Sequence, residues 1–305
     1  MNRDYLSVDD LSSDELASVL DRSAKVKAQP GDVADALRGR SIAMIFEKPS
    51  TRTRVSFEIA IASAGAHPVA LSSAELQLGR GETIEDTGRV LSRYVDAIVL
   101  RTFEQERLEL LASVATVPVV NALSDFEHPC QCLADLLTVR EVKGELGGRT
   151  MTYLGDGNNV THSLLLGGAK MGMHVRAATP PGYEPIPQIV QRATDIAAET
   201  GGSVLITNDP IEASAGADVL YTDVWASMGQ EQEANERALV FPAYALDASK
   251  VSVARPDVTV LHCLPAHRGQ EITDEVIDGP RSAVWDQAEN RMHTQKALLL
   301  WLLGA

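Results

Sequence analysis

At 305 residues with 45% hydrophobic content the chain is long enough for two domains of ordinary size; the absence of any apolar run of about 18 residues excludes a membrane span, and the polar N-terminus argues against a signal peptide. A net charge of −15, from 42 acidic against 27 basic residues, excludes nucleic acid and anionic membranes as expected partners, since both need a positive surface. Cys130, Cys132 and Cys263 are too few for a disulfide framework and point to free thiols in a reducing, cytoplasmic compartment.

Leu11 to Lys27 has the spacing of an opening amphipathic helix, with Leu16 and Leu20 on one face. Ser41 to Phe46 suits a buried strand that Pro49 stops, and Val55 to Ala64 carries apolar residues at a helical period. Between them lies Ser50-Thr51-Arg52-Thr53-Arg54. Ser50 is a good N-cap, and the N–H groups of a first helical turn favour a phosphate or carboxylate. Arg52 and Arg54 add forked donors, so the stretch reads as an anion grip; a capped helix with a solvated arginine pair is the alternative.

Further on, Pro68 to Leu71, Ala97 to Leu100 and Val117 to Asn121 read as strands, alternating with helices over Glu85 to Tyr94 and Glu104 to Ser113. Such alternation predicts a parallel sheet covered by helices. Pro129 opens a long helix to about Val142, which Gly144, Gly147 and Gly148 end, and which is the expected connection between domains 1–143 and 144–305. A second alternating set follows, with strands over Thr150 to Leu154, His174 to Ala178, Ser203 to Thr207, Ala217 to Thr222 and Val258 to His262, and helices over Leu164 to Met173 and Gln188 to Thr200. The fold class is therefore α/β, two open parallel-sheet domains joined by a helix. Met292 to Leu303 is a strongly apolar last helix expected to pack back on another element.

Ligands of open parallel sheets bind at the carboxyl ends of the strands, and the motifs fall there. Arg101 follows one strand, where its guanidinium can share an anion with Arg52 or merely form a surface ion pair. His128-Pro129-Cys130-Gln131 sets His128 at a helix N-terminus, which favours the neutral imidazole. Cys130 and Cys132 lack the spacing of zinc pairs, and no metal is expected. Gly155-Asp156-Gly157-Asn158-Asn159 approaches a dinucleotide fingerprint, but its third glycine is Val160, so no nicotinamide cofactor is expected. Asn158 and Asn159 suit a polar ligand, or a turn that merely accepts Asn. Asp223, before a loop through Ser227-Met228-Gly229, has the charge to accept from an ammonium. Cys263, in His262-Cys263-Leu264-Pro265, is either a buried structural thiol or a site residue at a strand end.

Together these segments resemble the aspartate/ornithine carbamoyltransferase family along nearly the whole chain. Ser50-Thr51-Arg52-Thr53-Arg54 and His128-Pro129-x-Gln131 look like its carbamoyl phosphate motifs; Asp223-x-x-x-Ser227-Met228-Gly229 and His262-Cys263-Leu264-Pro265 look like those of its ornithine-using members. The resemblance implies that Ser50, Thr51, Arg52, Thr53, Arg101, His128, Gln131 and Arg291 bind carbamoyl phosphate, with Gln77 reaching a neighbouring subunit's site. It implies that Asn159, Asp223, Ser227 and Met228 hold the amino-acid end of L-ornithine, and that Cys263 and Leu264 lie near the carbamoyl group and the amine. Arg52, Thr53, Arg101, His128 and Cys263 would be the catalytic set. It implies no cofactor, and a homotrimer or a multiple of trimers. Carbamoylation of another amine, such as putrescine or acetylornithine, and a non-catalytic binding protein remain alternatives. With seven lysines among its bases, so acidic a chain is further expected to be salt-adapted.

Overall fold

The structure, a computed structural model, describes residues 3–72, 81–226 and 234–305. It divides into two units, Met1–Ala134 with Arg291–Ala305, and Asp135–Asn290.

Unit 1 begins with α1 (Ser13–Ala28), whose N-terminus is closed reciprocally: the Glu15 N–H donates to Ser12 Oγ, and the Ser12 N–H donates to the Glu15 carboxylate. Strands β1 (Ser41–Phe46), β2 (His67–Ser72), β3 (Ala97–Arg101) and β4 (Val119–Leu123) then alternate with α2 (Thr51–Ala62), α3 (Ile84–Leu91) and α4 (Gln105–Val114). They form one parallel sheet in the order β2-β1-β3-β4. Ile42 to Ile45 and Ala97 to Leu100 are wholly buried, which is why both read as unbroken apolar runs and not as alternating ones. α5 (Pro129–Lys143) follows.

The second sheet, β7-β6-β5-β8-β9, is also parallel throughout, from β5 (Thr150–Leu154), β6 (His174–Ala178), β7 (Ser203–Thr207), β8 (Val219–Thr222) and β9 (Thr259–His262). Between them run α6 (Asn159–Lys170), α7 (Pro187–Thr200), α8 (Pro210–Ser214), α9 (Ala234–Val240) and α10 (Ala248–Val253); α11 (Asp274–Ile277) and α12 (Val284–Leu302) close the chain. No helix among the described residues is long and apolar enough to cross a membrane.

The expected strands are all present, and the differences lie in helix starts and in the short helices α8 to α11, which lie outside the expected elements. α6 begins at Asn159, not Leu164, because Asn158 is its cap and not part of a free turn. α12 begins at Val284, not Met292. Its first turns bury polar side chains that leave no apolar period to read: Gln287 Nε2 donates to Asp135 Oδ1 at 2.7 Å, and Asn290 Nδ2 donates to Thr138 Oγ1 at 2.9 Å and Glu141 Oε2 at 2.7 Å. The end of α12, from Arg291 on, packs as expected within unit 1, where Arg3 lies 4.4 Å over the Trp301 ring.

Strand order reverses between β1 and β3 in unit 1 and between β5 and β8 in unit 2, so each sheet has one crevice at the carboxyl ends of those strands.

Candidate active site

In unit 1 the crevice is flanked by the β1–α2 turn and the end of β3. Ser50 Oγ accepts the Thr53 N–H at 3.3 Å, capping α2. With its first turn thus held, α2 turns Thr53 inward, where it is buried, and leaves Thr51 and Arg52 exposed. Two guanidiniums converge on the one hydroxyl: Arg101 Nη1 donates to Thr53 Oγ1 at 3.3 Å and Arg291 Nη2 at 2.6 Å. Arg101 is aimed there by an irregularity in the sheet, for Leu100 pairs with Asn121 but Arg101 pairs with Leu123.

His128 is buried beside them. Burial, then the positive charges of Arg291 and Arg101, push its imidazole well below the ordinary 6.5, so it is neutral at pH 7. Gln131, in the first turn of α5, is buried, and its N–H donates to the His128 carbonyl at 3.0 Å. Lys48 belongs to the same cluster, although its position in the motif carried no assigned role. It is buried with its ammonium 4.1 Å from the Phe103 ring centroid, and burial and the Arg101 charge push its pKa down. A chain that is strongly acidic overall thus concentrates Lys48, Arg101 and Arg291 around one crevice, an arrangement with the charge to attract an anion. Cys130 is a core thiol: burial pushes it up to about 12, and its S–H donates to the Asn121 carbonyl at 3.3 Å.

His128 gives the first expected result. Because the unfolded chain takes up a proton near 6.5 that buried His128 does not, the Tm should fall as pH drops below that value, down to the depressed native pKa. Thermal melts of His128→Asn should show a shallower slope there; an unchanged slope would contradict a neutral, buried imidazole.

In unit 2 the crevice is flanked by the turns after β5 and β8. Asn158 Oδ1 accepts the N–H groups of Val160 and Thr161 at 3.0 and 3.2 Å, and its Nδ2 donates to Asp223 Oδ2 at 3.4 Å. The Asn158 amide is therefore committed within the protein, and Asn159 is half-buried at the start of α6. Asp223 Oδ1 accepts from Cys263 Sγ at 2.9 Å, both residues being buried. Leu264, with φ 59°, is in the left-handed region that a leucine rarely adopts. Its N–H donates to His262 Nδ1 at 2.9 Å, and His262 Nε2 in turn meets Glu271 Oε1 at 3.1 Å. Asp223, His262 and Cys263 lie close together; the Cys263 thiol bonds Asp223, while both His262 nitrogens are engaged elsewhere, one by the Leu264 N–H and the other by Glu271.

Gly157, in the turn after β5, is packed against the segment Tyr183 to Pro185. A Cβ there would lie 2.3 Å from the Pro185 nitrogen, so the close approach that glycine permits is taken by the chain's own loop. A residue the spacing did not reveal is Arg237 on α9: buried, it donates to Asp156 Oδ2 and the Trp225 carbonyl, each at 2.7 Å, tying the two turns together. Nothing in its glutamate-rich surroundings signals this.

Of the residues expected from sequence, Ser50, Thr53, Arg101, His128, Gln131 and Arg291 are thus gathered in unit 1, and Asn159, Asp223, Cys263 and Leu264 in unit 2. Thr51 and Arg52 sit at the exposed rim of the first crevice. Gln77, Ser227 and Met228 lie outside the described residues.

Two matches to known proteins bear on this geometry. Residues 3–141 match the domain described as "Aspartate/ornithine carbamoyltransferase, carbamoyl-P binding domain", and residues 147–302 match "Aspartate/ornithine carbamoyltransferase, Asp/Orn binding domain". The chain belongs to the aspartate/ornithine carbamoyltransferase family. Among its relatives, the ornithine carbamoyltransferase of Parafrankia sp. (strain EAN1pec) is 61% identical over 304 residues, covering 99% of this chain and 96% of that protein. The "Ornithine carbamoyltransferase, anabolic" of Pyrococcus furiosus is 53% identical, with the same coverage. The solved structure of ornithine carbamoyltransferase from Pyrococcus furiosus superposes with a TM-score of 0.96 at 52% identity, covering 100% of this chain and 98% of that one. That from Gloeobacter violaceus gives 0.91 at 48%, covering 100% and 99%.

Proposed function

We propose that the chain transfers the carbamoyl group of carbamoyl phosphate to the side-chain amine of L-ornithine, giving L-citrulline and phosphate. The observation that carries this is the convergence of Arg101 and Arg291 on Thr53 beside a neutral His128. The family match and the relatives named ornithine carbamoyltransferase support it. In this reading the α2 N-terminus with Ser50, Thr51, Arg52 and Thr53 binds the phosphate of carbamoyl phosphate, with Arg101 and Arg291 completing the anion site. His128 donates an N–H to the carbamoyl oxygen, and Gln131 holds the carbamoyl end. Gln77 is supplied to a neighbouring subunit's site. Asn159, Asp223, Ser227 and Met228 hold ornithine, while Cys263 and Leu264 line the place of its amine.

The neutral amine attacks the carbonyl carbon and the carbonyl oxygen becomes an oxyanion; the oxyanion then collapses, the carbon–oxygen bond to phosphate breaks with its electron pair leaving on phosphate, and the proton lost by the attacking nitrogen leaves with it as hydrogen phosphate. Thr53, Arg101 and His128 stabilise the oxyanion, and Arg52 with the α2 amides stabilises the departing phosphate. Catalysis is chiefly positioning and preorganised electrostatics, in which one such donor contributes roughly 3 kcal/mol. A neutral His128 suits this role, since a donor is needed there and the guanidiniums already supply the charge.

The test is citrulline formation from carbamoyl phosphate and ornithine, with putrescine, acetylornithine and aspartate in parallel. Turnover with ornithine alone is expected; turnover with another amine would keep the carbamoyl phosphate half and overturn the rest. The family resemblance suggests a homotrimer or a multiple of it, and Val55 and Ile59, one turn apart and half-exposed on α2, are an apolar patch available to such an interface. The same cytoplasmic, salt-adapted enzyme should scatter light as a multiple of three chains of 32.8 kDa and lose activity in dilute buffer.

A further inference from the structure

The loop that carries His128 is held from outside the sheet by the N-terminal segment. Glu127, the residue before His128, is fully buried. Its Oε1 accepts from Ser7 Oγ at 2.5 Å and its Oε2 accepts the Val8 N–H at 3.1 Å. On the other side of His128, the Pro129 carbonyl accepts from Tyr5 OH at 3.3 Å, and Tyr5 is fully buried as well. The segment is itself anchored to the edge of the sheet. The Tyr5 N–H donates to the Val119 carbonyl at 2.9 Å, the Asn121 N–H donates to the Tyr5 carbonyl at 2.8 Å, and Asn121 Nδ2 donates to the Leu6 carbonyl at 2.8 Å. Asp4 Oδ1 accepts the Val119 N–H at 2.8 Å. Tyr5 thus makes an isolated parallel bridge to Val120 of β4, a short 3-10 helix follows at Val8–Asp10, and side chains of this segment bracket His128 on both flanks.

We infer that this N-terminal segment is a positioning strap for His128, with Ser7, Tyr5 and Glu127 acting through the loop and not on the substrate. The inference rests on the carbamoyl-transfer reading. Its physical basis is that Glu127, a buried carboxylate, needs its hydrogen bonds: when it loses one, the Ser124–Pro129 turn must shift to find another partner. A shift of about 1 Å at a group that must meet the carbamoyl oxygen costs on the order of a hundredfold in rate. The strap belongs to unit 1 and the turn after β8 to unit 2, so ornithine recognition should not feel it.

The test compares Tyr5→Phe combined with Ser7→Ala, Glu127→Ala, and Glu127→Gln, by steady-state kinetics in both substrates and by Tm. The first two variants should raise KM for carbamoyl phosphate or lower kcat by about tenfold or more, with KM for ornithine unchanged. Glu127→Gln, which keeps an acceptor for the Val8 N–H and turns an N–H toward Ser7 Oγ, should recover most of the loss. Wild-type kinetics in the folded double variant would overturn the inference, and so would an equal rise in both KM values with a lowered Tm, which is the mark of a merely structural contact. If the double variant does not fold, Ser7→Ala alone reads the same split. Citrulline formation by the unaltered chain is the control: its absence would overturn the proposed reaction, whereas its presence with unaffected variants would overturn the strap alone.

Discussion

Arg52→Ala is expected to lower kcat/KM for carbamoyl phosphate by on the order of a hundredfold or more, about 3 kcal/mol, with no loss of Tm. The two halves of that expectation have separate grounds. Arg52 is exposed in the first turn of α2, and its guanidinium has no hydrogen-bond or ion-pair partner among the described residues, so its removal leaves no buried group unsatisfied. The same exposure leaves all its donors available to the phosphate that the helix N-terminus attracts. Arg101 and Arg291 would be poorer tests, because both are buried against Thr53 and their loss would mix a packing defect with a binding one. Arg52→Lys should recover only part of the activity, since the ammonium keeps the charge but loses the planar fork. A normal kcat/KM in folded Arg52→Ala would sink the assignment.

Asp223→Asn should raise KM for ornithine by about a hundredfold, about 3 kcal/mol, and leave carbamoyl phosphate binding as it was. The carboxylate already accepts from Cys263 Sγ and from Asn158 Nδ2, so it is fixed in place before any ligand arrives. The amide would keep the shape and an acceptor for the thiol, but its N–H groups would confront the Asn158 amide or the incoming ammonium. The negative charge that favours an ammonium would be gone. Separate binding titrations with each substrate decide it; an unchanged ornithine KM would remove Asp223 from the amine pocket.

Much of the first crevice was legible because its chemistry is local. Ser50 as a cap, Arg52 as an exposed fork and Arg101 at a strand end each follow from a few neighbouring residues, and the structure shows them in those places. The arrival of Arg291 at Thr53 was not legible in spacing, because the two are joined only by a tertiary contact; the family resemblance supplied it. The early turns of α12 were misread for a related reason, since Gln287 and Asn290 are buried by hydrogen bonds and leave no apolar rhythm. The short helices α8 to α11 have too few turns for a period to show, and Arg237 in α9 looks like any surface arginine until Asp156 and Trp225 are placed around it. His262 was quoted only as part of a motif; its bond to Leu264, which adopts a left-handed backbone, gives it a structural task that residue type alone does not announce.

Unit 1 is discontinuous, built from Met1–Ala134 and the terminal stretch Arg291–Ala305. For a chain leaving the ribosome this sets an order of events. The sheet of unit 1 can form early, but Thr53 waits for Arg291, which is synthesised 238 residues later. A nascent chain that ends before Arg291 therefore has most of its first core but lacks one of the two guanidiniums that meet Thr53.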